Sequence, residues 1–279
     1  MKIKNLLIAL FFSFLLTACG ESETAASYKK ANNDSVSEVS HRLASASESA
    51  GDFPVAEKLY RQAFEKNSSP ENIIELVDFY RRHNGTRQAL VILTKAMKDD
   101  PKNTDIMRSL ANVNIDSGAA EEAIKILNNA LLINKTDALL YNSKGVALDL
   151  IGKHKEAREN FNQAIELAPE DSALFKANLG MSYITTEYYT KAINLLKSVA
   201  DSAESTPQIR QNLALAFGLK GDRENALKYG LKDLPTKQAE DNIKFYNLVA
   251  DKSLTPKNSN QKSGTDTKFD KIENIPAIP

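Results

Sequence analysis

The chain has 279 residues, with 36 basic and 36 acidic side chains, three histidines and one cysteine. Nothing in this charge balance suggests nucleic-acid binding, which would call for a basic surface, and it gives no support to an anionic-membrane patch. Since there is no second cysteine, an internal disulfide is excluded, and so is a metal site built from several cysteines.

The N-terminus has the pattern of an export signal. Lys2 and Lys4 precede an apolar stretch from Leu6 to Leu16. That stretch is shorter than the about 20 apolar residues that cross a bilayer, and it ends in small residues. The pattern predicts a secretory signal peptide over residues 1–18.

The string Leu16-Thr17-Ala18-Cys19 resembles a bacterial lipobox. The resemblance implies that Cys19 is lipidated, for example with palmitate, and becomes the first residue of the mature protein. Gly20 stands where an aspartate would resemble an inner-membrane retention signal. The expected location is therefore the periplasmic face of the outer membrane of a Gram-negative bacterium, with the lipid as the only membrane contact. The alternative is an ordinary signal peptide with an incidental cysteine.

Two polar segments flank the informative part of the chain. Residues 19–36 contain the lipidated cysteine and lack an apolar stripe, so they are predicted to be a flexible tether. Residues 253–279 are similar in character and are predicted to be a disordered tail. Between them, residues 37–252 form a single predicted repeat domain.

The repeat domain has a period of 34 residues, marked by alanines at fixed spacing: Ala89, Ala123 and Ala157, then Ala96, Ala130 and Ala164. A period in this range indicates a solenoid of short helical units. We predict an all-α, right-handed solenoid of about six helical hairpins, at residues 37–69, 70–103, 104–137, 138–172, 173–206 and 207–234. An amphipathic stretch at 234–252 predicts a C-terminal capping helix.

The fourth unit resembles the tetratricopeptide repeat most closely. Its signature positions hold Tyr141, Gly145, Leu148, Ala157, Phe161, Ala164 and Pro169. Lys144 departs from the pattern, because that position usually takes leucine. The resemblance implies helix pairs that cross at small residues and a surface that binds other proteins.

No catalytic constellation is recognisable in the sequence. His41, His83 and His154 belong to different units and lack the spacing of a metal site, so they are predicted to be solvated turn residues. We therefore expect a protein that is not an enzyme, with no metal, no cofactor, no small-molecule substrate and no nucleic-acid partner.

In a helical-hairpin solenoid the first helices line a concave groove that accepts peptides or helices. Helical projection selects candidate groove residues from four units: Ile74, Asp78, Arg81, Arg108, Asn112, Ile115, Asn142, Val146, Asp149, Met181 and Ile184. Arg108, Asn112 and Asn142 are expected to hold a peptide carboxylate or backbone. The alternative is a mixed polar groove whose apolar members mainly support neighbouring helices.

Residues 206–249 resemble the C-terminal segment of the TadD lipoproteins of tight-adherence (Flp) pilus assembly systems. The matching strings are Arg210 to Ala216, Gly221 to Arg223 and Asp233 to Pro235, followed by Asn242, Phe245 and Tyr246. The resemblance implies a pilotin-like adaptor that supports the outer-membrane secretin, with the secretin or other pilus assembly subunits as partners. The alternatives are a type IV pilus pilotin, a scaffold that recruits cell-wall hydrolases, and a repeat lipoprotein unrelated to pili.

Overall fold

The computed structural model describes residues 36–251. Cys19, the predicted signal peptide and tether, and the predicted tail lie outside the described residues. Within 36–251 the regular structure consists of thirteen helices: α1 Val36–Ser49, α2 Phe53–Lys66, α3 Pro70–Arg82, α4 Thr86–Asp99, α5 Thr104–Asp116, α6 Ala120–Ile133, α7 Ala138–Leu150, α8 His154–Leu167, α9 Ala173–Thr185, α10 Tyr189–Ala200, α11 Pro207–Lys220, α12 Arg223–Gly230 and α13 Thr236–Ala250.

The helices form six antiparallel pairs followed by one capping helix, and consecutive helices pack on one another along the chain. The prediction of an all-helical solenoid of about six hairpins with a C-terminal cap is therefore confirmed. Each odd-numbered helix from α1 to α11 is the first helix of a unit, and each even-numbered helix is the second.

Local sequence sets where the helices begin. The side chains of Ser69, Asn103 and Asp137 accept hydrogen bonds from backbone N–H groups at the starts of α3, α5 and α7. These bonds satisfy donors that the first helical turn cannot pair internally. Pro70 and Pro207 follow their caps at the first helical position, where the missing N–H costs nothing.

The turn inside each hairpin requires one residue with left-handed backbone geometry. Gly118 and Gly152 occupy this position with φ of 81° and 78°. Glycine suits it because it has no Cβ to clash with the following carbonyl. In the second and fifth units the same position is filled by Asn84 and Glu187, with φ of 58° and 65°.

The core repeats along the solenoid, because the periodic alanines are buried where the helices cross. Ala123, Ala130, Ala157 and Ala164 are inaccessible to solvent and lie between the two helices of their hairpins. Gly145 lies against the ring of Phe161, so α7 and α8 approach closely. The small residues of the repeat signature thus set the distance between paired helices.

Candidate protein-binding groove

The first helices of neighbouring units lie side by side: α3 contacts α5, α5 contacts α7, α7 contacts α9, and α9 contacts α11. They form one continuous inner layer, and the second helices pack behind it. The groove predicted from the sequence corresponds to the face of this layer.

The structure divides the predicted groove residues into two sets. Five are half-buried and reach the surface of the inner layer: Ile74, Asp78, Arg81, Arg108 and Asn112. Six are buried: Ile115, Asn142, Val146, Asp149, Met181 and Ile184. The accessible part of the predicted groove therefore lies mainly on α3 and α5.

The prediction that four apolar residues line the groove is wrong: Ile115, Val146, Met181 and Ile184. All four are buried and belong to the main hydrophobic core. Packed helices cover them, because the stack is tighter than a projection of isolated helices implies. They support the groove from behind, as the alternative interpretation of its apolar members required.

Arg81 is committed to contacts within the protein. Its Nε donates to Asp116 Oδ2 at 2.6 Å, and its Nη1 donates to Asp78 Oδ1 at 3.0 Å. The first bond joins α3 to α5 across the inner layer. With two carboxylates beside it, Arg81 contributes more to the stiffness of the layer than to positive potential in the groove.

Arg108 is the cation of the groove that retains binding capacity. Its Nη2 donates to the exposed Asp105 at 3.2 Å, and its Nε is buried without a hydrogen-bond partner among the described residues. Because Nε is covered by the protein, a ligand would meet the Nη groups of this side chain, which is 19% exposed. Asn112 lies one helical turn further along α5 and is half-buried.

Asn142 is part of the wall of the groove. Asn178 Nδ2 on α9 donates to Asn142 Oδ1 on α7 at 2.8 Å, and both side chains are buried. The bond joins the first helices of the fourth and fifth units. Asn142 was predicted to bind a ligand together with Arg108. To do so, its side chain would have to bind the ligand while Oδ1 still accepts from Asn178.

Asp149, His154 and Ser182 meet in the structure, but their order does not suit nucleophilic catalysis. His154 Nδ1 lies 2.8 Å from Asp149 Oδ1, and Ser182 Oγ donates to the same oxygen at 3.0 Å. A nucleophilic serine needs the histidine as its base, and here both groups bond to the carboxylate. Burial raises the pKa of Asp149, and the hydrogen bonds from His154 and Ser182 oppose that effect.

The prediction that the three histidines are solvated is wrong. His83 Nε2 lies 2.8 Å from Glu48, His154 contacts Asp149, and His41 Nε2 lies 2.7 Å from Asn72 Oδ1. All three are half-buried. The sequence pattern missed these contacts because each partner lies on another helix or at the far end of a hairpin turn.

Within residues 36–251, no group of three or more His, Cys, Asp or Glu side chains is arranged to hold a metal ion. In the same part of the chain, no helix combines the length and apolar character that crossing a membrane would need.

Sequence reasoning also missed a surface cluster at the turn between α9 and α10. Arg158 on α8 approaches the rings of Tyr183 and Tyr188, and Lys191 approaches the same two rings. Alignment of the repeat units does single out one residue of this cluster. The position of Arg158 is aliphatic in four other units, as Leu90, Ile124, Ile193 and Leu227.

Comparison with known proteins supports the repeat class. Residues 76–214 match the model of the tetratricopeptide repeat protein 21 C-terminal ARM domain. A tetratricopeptide-repeat structure from Parabacteroides merdae has a TM-score of 0.60 at 17% identity, covering 90% of this chain and 99% of that one. The chain therefore has a tetratricopeptide-like repeat fold, and this class of fold typically serves as a non-catalytic scaffold for protein interactions.

Two further similarities are more limited. An uncharacterised protein of Sinorhizobium fredii, y4yS, is 32% identical over 84 residues, which cover 29% of this chain and 46% of that protein. The structure of pilF from Pseudomonas aeruginosa has a TM-score of 0.51 at 17% identity, covering 71% and 90% of the two chains. The chain matches less than half the length of its curated relatives, and at 17% identity the second likeness shows the fold alone.

Proposed function

We propose that this chain is an outer-membrane-anchored periplasmic adaptor whose groove binds a subunit of a tight-adherence (Flp) pilus assembly system, the secretin first among them. The observation that carries the proposal is the accessible surface of α5. There Arg108 is half-buried and its Nη2 donates to the exposed Asp105, and the half-buried Asn112 lies one helical turn further along the same helix.

The chemistry of this surface suits a segment of polypeptide. A guanidinium donates two parallel hydrogen bonds to a carboxylate, and an asparagine amide both donates to and accepts from a peptide backbone. Ile74 on α3 adds a half-buried apolar contact beside them. A peptide terminus or a helix of a partner could therefore bind here through a carboxylate, through its backbone and through an apolar side chain.

The pilus assignment rests on sequence resemblance. The strings around Arg210, Gly221 and Asp233 resemble those of TadD lipoproteins. In the structure, Asp233 accepts bonds from Arg210 Nε at 2.9 and 3.1 Å and from Gln211 Nε2 at 3.2 Å. These residues therefore hold the last hairpin against the segment that leads into α13.

The lipobox explains why such an adaptor would act at the membrane. A lipid on Cys19 would hold the solenoid close to the membrane surface, and tethering raises the effective concentration of any bound client near its destination. Replacement of Cys19 by alanine should move the protein from the outer-membrane fraction to the soluble periplasm. Retention of the Cys19→Ala protein in the membrane fraction would contradict the anchor.

The groove is tested by charge reversal. Arg108→Glu combined with Asn112→Asp should abolish capture of the purified secretin by the full chain, because both groups that meet a carboxylate or backbone become repulsive. The matched control is Arg87→Glu with Asn128→Asp, at exposed positions on the second helices α4 and α6. Equal capture by both double variants, with equal thermal unfolding, would exclude the groove.

The partner is tested separately by cross-linking in the cell from a photoreactive residue placed at Ile74. Adducts with the secretin or another Flp pilus subunit would support the proposal. Adducts mainly with type IV pilus components would favour a pilotin of that system. Adducts mainly with cell-wall hydrolases would favour a scaffold role.

A further inference from the structure

A second surface lies at the hairpin edge of the fourth and fifth units, away from the face of the first helices. It consists of Arg158, Tyr183, Tyr188 and Lys191, and is called here the tyrosine–cation cluster. Tyr183 and Tyr188 pack edge to face with ring centroids 6.4 Å apart. Tyr188 is 52% exposed, so one ring of the pair faces solvent.

Both cations approach both rings. Arg158 Cζ lies 5.4 Å from the centroid of Tyr183 and 5.9 Å from that of Tyr188. Lys191 Nζ lies 5.7 and 5.2 Å from the same centroids. These distances are within the range of cation–π attraction, which holds the two positive groups beside one aromatic surface.

Among the described residues, neither Arg158 nor Lys191 forms a direct ion pair. The charge of Arg158 acts on the buried carboxylate of Asp149, and Ser182 lies between them: Arg158 Nη1 donates to Ser182 Oγ at 3.5 Å, and Ser182 Oγ donates to Asp149 Oδ1 at 3.0 Å. Arg158 Nη1 also donates to Thr186 Oγ1 at 3.4 Å. In the same part of the chain the hydroxyls of Tyr183 and Tyr188 form no hydrogen bond, so Lys191 and two phenol donors are available beside the half-buried guanidinium.

The repeat pattern indicates that this arrangement is not a packing requirement. Leu90, Ile124, Ile193 and Leu227 occupy the position of Arg158 in four other units, where they are half-buried or buried. The fold accepts an aliphatic side chain at this position in those four units, so packing alone does not require an arginine here. Arg158 is half-buried and Lys191 is exposed, so both cations reach the surface.

We propose that the tyrosine–cation cluster binds an acidic segment of a partner protein, with two or more carboxylates near one another. One carboxylate would accept the paired donors of Arg158, and a second would bond Lys191 and a phenol hydroxyl. The exposed ring of Tyr188 would stack on the backbone or side chains of the bound segment. This surface does not depend on the groove, so the two sites are separable.

The test measures binding of a labelled hexaglutamate peptide to the purified full chain at low ionic strength, with hexaglutamine as the uncharged reference. Arg158→Leu is the central variant, because leucine or isoleucine already fills this position in four units. We expect it to weaken hexaglutamate binding at least tenfold without lowering the melting temperature. Tyr188→Ala, at an exposed site, should also weaken binding.

Lys155→Gln is the matched control, since Lys155 lies on the same helix as Arg158 and its side chain is 86% exposed. It should bind hexaglutamate like the unmodified chain, and so should the groove variant Arg108→Glu with Asn112→Asp. The proposal is overturned if the unmodified chain binds hexaglutamine equally well, if it binds neither peptide, or if Arg158→Leu binds hexaglutamate unchanged.

Discussion

Gly145 on α7 lies so close to Phe161 on α8 that a Cβ added at residue 145 would be 2.5 Å from Phe161 Cε1. Both residues are on signature positions of the fourth unit, and Phe161 is inaccessible to solvent. The repeat signature thus acts as a packing constraint here, because a larger residue at 145 fits only if the Phe161 ring or a helix moves.

Gly145→Ala should therefore destabilise the protein. Overpacking of a core costs about 1–3 kcal/mol, and the better helix propensity of alanine offsets about 1 kcal/mol of that. The net loss should be up to about 2 kcal/mol in urea unfolding. Gly230→Ala is the control, because its Cβ would be an ordinary 3.6 Å from Ala239 Cβ. Equal unfolding midpoints for the two variants would contradict the close contact.

Glu48 ties the first helix to the end of the third. Its carboxylate accepts bonds from Arg82 Nε at 2.7 Å and Arg82 Nη2 at 3.0 Å, and it lies 2.8 Å from His83 Nε2. Burial alone would raise the pKa of Glu48, but the bonds from Arg82 and His83 outweigh it, so the pKa falls below its ordinary value of 4.5.

A carboxyl whose pKa is lowered on folding stabilises the folded state above its unfolded pKa, and that contribution is lost as the pH falls through the folded pKa. Glu48→Gln should lower stability at neutral pH and make the decline below about pH 4.5 shallower. Denaturant titrations at several pH values measure both effects. The exposed Glu121→Gln serves as the control, and an unchanged acid limb in Glu48→Gln would refute the role of the carboxylate.

The left-handed turn position predicts opposite effects at two sites. Gly152→Ala adds a Cβ that meets no neighbour within 4 Å, so its effect is the backbone cost of left-handed geometry, about 1–2 kcal/mol. Glu187→Gly removes the same cost where φ is 65°. Thermal unfolding should therefore shift down for Gly152→Ala and up for Glu187→Gly. Shifts of the same sign would show that side-chain contacts of Glu187 outweigh its backbone strain.

The capping helix depends on a second close glycine contact, because a Cβ on Gly218 of α11 would overlap the ring of Tyr246 on α13. Gly218→Ala should loosen α13 and expose the end of the core. Hydrogen exchange should accelerate in α13 and stay unchanged in α1 and α2, because stability in a solenoid is transmitted between neighbours. Uniform acceleration across the chain would instead indicate global destabilisation.

Much of the fold follows from periodicity. The alanines 34 residues apart mark helix crossings, and predicted unit boundaries such as 104–137 and 138–172 each enclose two helices of the structure. The first unit was harder to assign because its first helix is rich in serine. Its main attachment, Glu48 with Arg82, joins residues 34 positions apart that no local pattern connects.

The binding surface was predicted less well than the fold. Helical projection placed Ile74, Arg108 and Asn112 at the surface of the inner layer, where the structure also has them half-buried. It placed Ile184 there too, although neighbouring helices bury it. Projection treats each helix alone, whereas accessibility depends on how closely adjacent first helices pack.

The amino-acid sequence by itself determined the hairpin repeat, because alternating small and apolar residues with a left-handed turn position allow only paired helices at these spacings. Tertiary structure alone decided which charges are paired directly: Arg81 donates to Asp116 of the next unit, while Arg158 lies beside two tyrosine rings and has only Ser182 between it and the buried Asp149. The physical reason is the distance along the chain over which each kind of interaction acts. Helix formation and turns depend on neighbours within a few residues, whereas electrostatic pairing depends on distances between helices that only the stacked solenoid defines.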